Sequence, residues 1–194
     1  MIEFALVMII AVPLFFGVVA TGVTLGRGIG AIQVTRDVAH MYAMGVDLSA
    51  TGTSLMVDKI AADFNLTSSG DSVLILSTIY SLDAAACTAA IISPCNNASS
   101  KVFTNRWTFG NTSLLTSSLG TPPAGYIGAK GAIAAANYMV QSTLIASPSV
   151  ASSITLNAQD SAWVVEGYFK QPNLNFLQPG YTQANQGSYV RIIF

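Results

Sequence analysis

Charge is what this 194-residue chain has least of: Asp, Glu, Lys and Arg together make up 9% of it, and histidine occurs once, at His40. An ordinary soluble domain carries about 25% charged residues. Net charge is −1 with no basic stripe, which argues against neutralising phosphates and so against nucleic-acid binding. No run of like charge marks a solvated tail. A lone His40, near Arg36, Asp37 and Tyr42, lacks the nucleophile and carboxylate that a triad brings together, so it reads as a surface or subunit-contact residue. The run Gly26-Arg-Gly-Ile-Gly30 follows an apolar segment instead of a strand and lacks phosphate-loop spacing. Asp47, Asp58, Asp63 and Asp71 are scattered without a calcium-loop pattern. The expectation is a chain with no catalytic constellation, no cofactor and no metal.

A second absence is local. After Glu3 no ionisable side chain occurs until Arg27, and the stretch between is apolar, small or weakly polar. That is long enough to cross a bilayer as a helix. A cleaved secretory signal would need a basic start and a shorter apolar core. A plain anchor would set basic residues at its cytoplasmic end, whereas Arg27 and Arg36 lie on the C-terminal side. The third reading is an assembly helix that rests in a membrane and then enters the core of a filament. Glu3 separates these readings, because a carboxylate in apolar surroundings is costly without a partner. The N-terminal ammonium of a neighbouring copy, carried on Met1 in this numbering, would supply one and fix the axial register. The alternative is a carboxylate in the headgroup zone that offsets the helix dipole.

Pro13 falls inside the apolar segment and is expected to kink or loosen it. Gly17, Gly22, Gly26, Gly28 and Gly30 follow, small enough to let helices approach closely. Past Arg27 the helix continues and turns amphipathic, with Ile29, Ile32, Ala39, Tyr42 and Val46 as its buried stripe. A helix of about 44 residues would span roughly 65 Å. Breakers over 45–52 end it, and a second helix over 53–64 sets Leu55, Met56, Ile60 and Phe64 on its apolar face.

The segment IEFALVMIIAVPLFFGVVATGVTLGRGIGAIQVTRDVAHMYAMG resembles the start of TadE-like proteins, the type IV pilin-related components of tight-adherence (Tad) pilus systems. Glu3, Phe4, Ala5, Leu6, Val7, Pro13, Gly17, Gly26 and Arg27 carry the match, which covers residues 2–45. The resemblance implies an inner-membrane precursor, processed by a prepilin-type peptidase and inserted by pilus assembly machinery into an extracellular filament of like subunits. The candidate assembly residues are Met1, Glu3, Phe4, Pro13 and Gly17. Family members carry a short basic leader ending in Gly. None is seen ahead of Met1, and the expectation is that the numbering begins at or near the mature terminus or that the leader is absent. Glu stands at position 3 instead of the fifth place common in processed type IV pilins.

From Gly70 onward the pattern turns to period two. Strands are expected over 71–80, 101–109, 161–170 and 188–194, with shorter ones over 153–157 and 113–117. On the third, Trp163, Val165 and Phe169 take one face and Val164, Glu166, Tyr168 and Lys170 the other. The Ala-rich stretch 129–145 reads as a helix or a covered loop, and 119–128 and 171–187 read as loops. The expected fold class is α+β: a long apolar N-terminal helix packed against a C-terminal antiparallel sheet. The division is 1–46 for the assembly helix, 47–69 for a linker and short helix, and 70–194 for the sheet domain.

Cys87 and Cys95 flank a short loop-like stretch, and in an exported protein a disulfide is the natural reading, with free thiols the alternative. Three Asn-x-Ser/Thr sequons, at Asn65, Asn97 and Asn111, are surface glycosylation candidates or plain solvated residues. The functional expectation is a structural, non-enzymatic subunit of a Tad-type pilus for surface attachment. A low-copy minor pilin or pseudopilin that primes or caps a filament, and a monomeric membrane-anchored binding module, are the alternatives. Subunit stoichiometry and the absence of a sedimentable polymer discriminate them.

Overall fold

The computed structural model describes residues 2–170 and 187–194, with side chains over those spans apart from residues 2–6 and 149–150. The loop expected over 171–187 falls almost wholly outside the described residues, as does Met1.

One helix dominates. α1 runs over Ile2–Ala43 without a break at Pro13, a rise of roughly 63 Å at about 1.5 Å per residue. Its end is fixed by Gly45, which stands at φ 75. The Gly45 amide donates to the Tyr42 carbonyl at 3.0 Å and the Val46 amide to the Met41 carbonyl at 3.1 Å. This pair of bonds is a Schellman cap, and the left-handed residue it needs favours glycine. Asp47 then accepts from the Ser49 amide and hydroxyl, at 3.0 and 2.6 Å, turning the chain into α2 (Thr51–Ile60).

Four strands follow: β1 (Ser72–Ser81), β2 (Lys101–Gly110), β3 (Ser161–Lys170) and β4 (Gly187–Ile193). All neighbours are antiparallel, in the order β2-β1-β3-β4, with a bulge in the β1–β2 pairing between Thr78 and Ile79. The fold class is therefore α+β, as the sequence pattern indicates. The sheet is covered on both faces. On one, Ala31, Val34, Val38, Ala39 and Tyr42 of α1 pack with Leu74, Leu76, Val165 and Phe169. On the other, Ile79, Phe103, Ala162 and Val164 pack beneath Leu119, Ile133, Leu144 and Ile154 from the long connections. Successive residues of β3 thus alternate between two cores, which is why its apolar run is nearly continuous.

The helix rides close to the sheet at Gly167. A Cβ there would lie 2.7 Å from the Thr35 hydroxyl oxygen, so a side chain and the helix cannot share the position. Thr35 is itself buried and donates back to the Ala31 carbonyl at 2.8 Å, which satisfies its hydroxyl within the helix.

Two expected faces are corrected. Ala39 and Tyr42 are buried, but Ile29 and Ile32 are 50% and 51% exposed and Val46 is also outside. The buried stripe is Ala31, Val34, Thr35, Val38, Ala39 and Tyr42, because a close approach over Gly167 selects small side chains. On α2 the inward residue is Val57, while Leu55, Met56 and Ile60 face outward; Phe64 is buried beyond the helix end. The short strands expected over 153–157 and 113–117 are turns and irregular chain. The 129–145 stretch is a covered loop of single turns, the alternative that competed with a helix.

Candidate assembly surface

From Val7, where its described side chains begin, the first half of α1 has almost no partner in its own chain among the described residues. The segment Val7–Ala43 is long and apolar enough to cross a membrane, and its most apolar stretch is wholly unburied. Ile9, Leu14, Phe15, Val18 and Leu25 each expose well over half of their surface. Fully burying one such side chain stabilises a structure by about 1.5–3 kcal/mol. A rod with this many is unfavourable in water, and some apolar surface must cover it.

The two threonine hydroxyls of the rod are satisfied internally. The Thr21 hydroxyl donates to the Gly17 carbonyl at 2.8 Å and the Thr24 hydroxyl to the Ala20 carbonyl at 2.9 Å. Such back-bonds let threonine enter apolar surroundings without an orphaned donor. Gly17, Gly22 and Gly26 face open space, with nothing within 4 Å of where a Cβ would stand, so their own chain does not require them to be small. Pro13 lies within the continuous helix. The side chains of Glu3 and Phe4, and all of Met1, lie outside the described residues. Farther along, Ile29 and Ile32 on α1 and Leu55, Met56 and Ile60 on α2 add exposed apolar side chains close to the domain. The sequence reading placed these residues inward and so did not count them as exposed surface.

The remaining candidates separate. Cys87 and Cys95 are joined by a disulfide, with Cys87 on a short helix, α3 (Ala84–Ala89), whose start is capped by Asp83 accepting from the Ala86 amide at 2.8 Å. Asn65 is exposed and accepts from the Thr67 hydroxyl at 2.8 Å. Asn111 is partly buried, accepting from the Ser113 hydroxyl at 2.6 Å. Asn97 departs from the expected surface position. It is fully buried, and its amide nitrogen donates to the carbonyls of Tyr138 and Gln141 at 2.8 and 2.7 Å. The folded chain does not present it to a sugar donor. His40 is exposed with its ring edge against Phe194, centroids 6.4 Å apart. Among the described residues no three of His, Cys, Asp and Glu gather as metal ligands would.

A buried ionic cluster on the far face of the sheet had no sequence signal. Glu166 of β3 is 0% exposed. It accepts from the hydroxyls of Ser117, Ser118 (2.6 Å) and Tyr189 (2.7 Å), from the Ser118 amide (3.2 Å), and from Arg191 at 3.3 Å. Arg106, also buried, donates to the Ser77 and Ser117 hydroxyls at 2.6 and 3.3 Å. Burial pushes the Glu166 carboxyl up, but the hydrogen bonds from Ser117, Ser118 and Tyr189 outweigh it and hold the group below its usual value. Burial pulls the Arg106 guanidinium down to about 10, with the Glu166 charge opposing. These residues span β1, β2, β3, β4 and the connection at 117–118, so the cluster ties that connection across the sheet. Its role is to hold the domain together.

No protein-family model, curated protein or solved structure matches this chain.

Proposed function

We propose that this chain is a structural subunit of an extracellular, type IV pilus-like filament of the TadE-related kind, assembled through the first half of α1. The observation that carries the proposal is the division of one continuous helix into two halves. The second half is the spine of the sheet domain's core, while the first, from Val7 onward, exposes apolar side chains along its length. In lipid such a rod is a precursor at rest; among copies of itself it is the axis of a filament. A helix shared between rod and domain couples axial packing to the placement of the outer wall.

Further support comes from the threonine hydroxyls bonded within the rod, which suit a dry environment. The Cys87–Cys95 bond suits an oxidising compartment outside the cytoplasm. The low charge of the chain suits a surface that packs against copies. In this proposal the chain waits in the inner membrane, is processed at its start and leaves the membrane on assembly. Glu3 sets the register by pairing with the amino terminus of the next copy.

Imaging cell-surface filaments labelled for this chain, in wild type and Glu3→Ala, tests the proposal. The expected result is labelled filaments in the wild type and a strong loss of yield in the variant. Undiminished yield in Glu3→Ala removes the register role, and absence of any labelled polymer removes the filament itself.

A further inference from the structure

Both tryptophans of the chain line one cleft. It lies where α1 leaves the sheet, and its register is set by β1. Thr78 stands between Asn105 on β2 and Trp163 on β3, and Trp107 is opposite Leu76 two positions along. Tyr42 and the turn after α1 close the other side, leaving a cavity of about 320 Å³. That volume is at the lower end of small-molecule pockets, about 300–1,000 Å³.

The lining decides the class of ligand. Asp47 and Lys130 pair at 2.8 Å at the rim, so their charges cancel and neither an anion nor a cation is favoured. Lys130 is held at φ 62, a conformation unusual for a residue with a side chain. Its carbonyl accepts from the Asn105 side-chain nitrogen at 3.2 Å, which fixes the rim to the cleft wall. The hydroxyls of Tyr42 and Thr78 lie 2.7 Å apart, and Tyr42 also donates to the Asn105 side-chain oxygen at 3.1 Å. The Trp107 indole N–H is buried and has no acceptor among the described residues. The site thus sets two tryptophans beside neutral hydroxyl and amide groups. A matching ligand has an apolar C–H face, hydroxyl oxygens at its edge and no charge.

We propose that this cleft binds one neutral pyranose unit of a glycan, its C–H face against the tryptophan rings and its hydroxyls on Thr78, Tyr42 and Asn105. A single solubilised chain suffices for binding, so the inference stands or falls apart from filament formation.

The test uses the full chain in a detergent without a sugar headgroup, titrated with methyl α-glucoside, methyl β-galactoside and N-acetylglucosamine. Because both tryptophans line the cleft, intrinsic fluorescence reads it directly, with saturation-transfer NMR as the second readout. The expected result is a saturable response to at least one pyranoside, with a dissociation constant on the order of 1 mM. In Tyr42→Phe, which removes one hydroxyl from the cleft, and in Trp163→Phe, affinity falls about tenfold while far-ultraviolet circular dichroism shows the chain still folded. No saturable response to any of the three sugars overturns the proposal. So does equal affinity in both variants and the wild type, or an equal response to cyclohexanol, which marks an apolar hole only. Protection of the cleft by a second copy of the chain, with no response to sugar, assigns it to a protein contact and also overturns it.

Discussion

The Thr35 hydroxyl oxygen lies 2.7 Å from the point where a side chain on Gly167 would begin. This contact sets the distance between α1 and β3 and so the seating of the rod on its domain. It also makes the helix face small: Ala31, Thr35 and Ala39 are each 0% exposed.

Gly167→Ala forces the helix or the strand to move, since Phe169 and Leu74 side-chain atoms also crowd the position at 2.8 and 3.1 Å. The expected loss is about 1–3 kcal/mol, the usual cost of overpacking a filled core. Chemical denaturation of the variant against wild type measures it. Gly17→Ala, at a position with nothing within 4 Å, is the control and leaves domain stability unchanged.

Acid weakens the domain through Glu166. Its folded-state carboxyl is held below the usual value of 4.5, so the unfolded chain takes up a proton first as pH falls. The stabilisation is complete above the unfolded value and is lost as pH drops through the folded one. Unfolding temperature followed downward from pH 6 falls steeply below about 4.5 in wild type and less steeply in Glu166→Gln. Glu166→Ala leaves Arg106 buried without its counter-charge and costs about 3–5 kcal/mol at neutral pH.

The disulfide joins residues eight apart in sequence and lies beside Leu82, Val102 and Met139. Closing so short a loop contributes roughly 2–3 kcal/mol through the unfolded state. Replacing both cysteines by serine lowers domain stability by about that amount. It leaves the rod's own contacts alone, because the bond is confined to the sheet domain.

The strands were legible because each is a run of β-branched and aromatic residues bounded by turn formers. The expected ranges for β1 to β4 lie within about two residues of those observed. The alternation of Trp163, Val165 and Phe169 against Val164 and Glu166 was also legible, since period two is local. The buried faces of α1 and α2 were legible only in part: Ala39, Tyr42 and Phe64 are inside as expected, and the other residues of those faces are not. Counting large apolar residues selects Ile29, Ile32, Leu55 and Met56, whereas close packing over Gly167 buries alanines and a threonine. Choosing between those faces requires knowing where β3 lies. The cleft and the ionic cluster were hidden for the same reason. Trp107 and Trp163 come to one cleft only through their register with β1, and Glu166 meets Ser117 and Arg191, with Arg106 joined through Ser117, only across a four-stranded sheet.

The central claim is that the exposed half of α1 packs against other copies of itself. A photo-activated crosslinker in place of Phe15 tests it in intact cells, because that side chain is 65% exposed at mid-rod. Illumination is predicted to give a ladder of covalent multimers of the full chain, extending beyond the dimer. Chain that stays at monomer mass, crosslinked to lipid alone, would contradict the account.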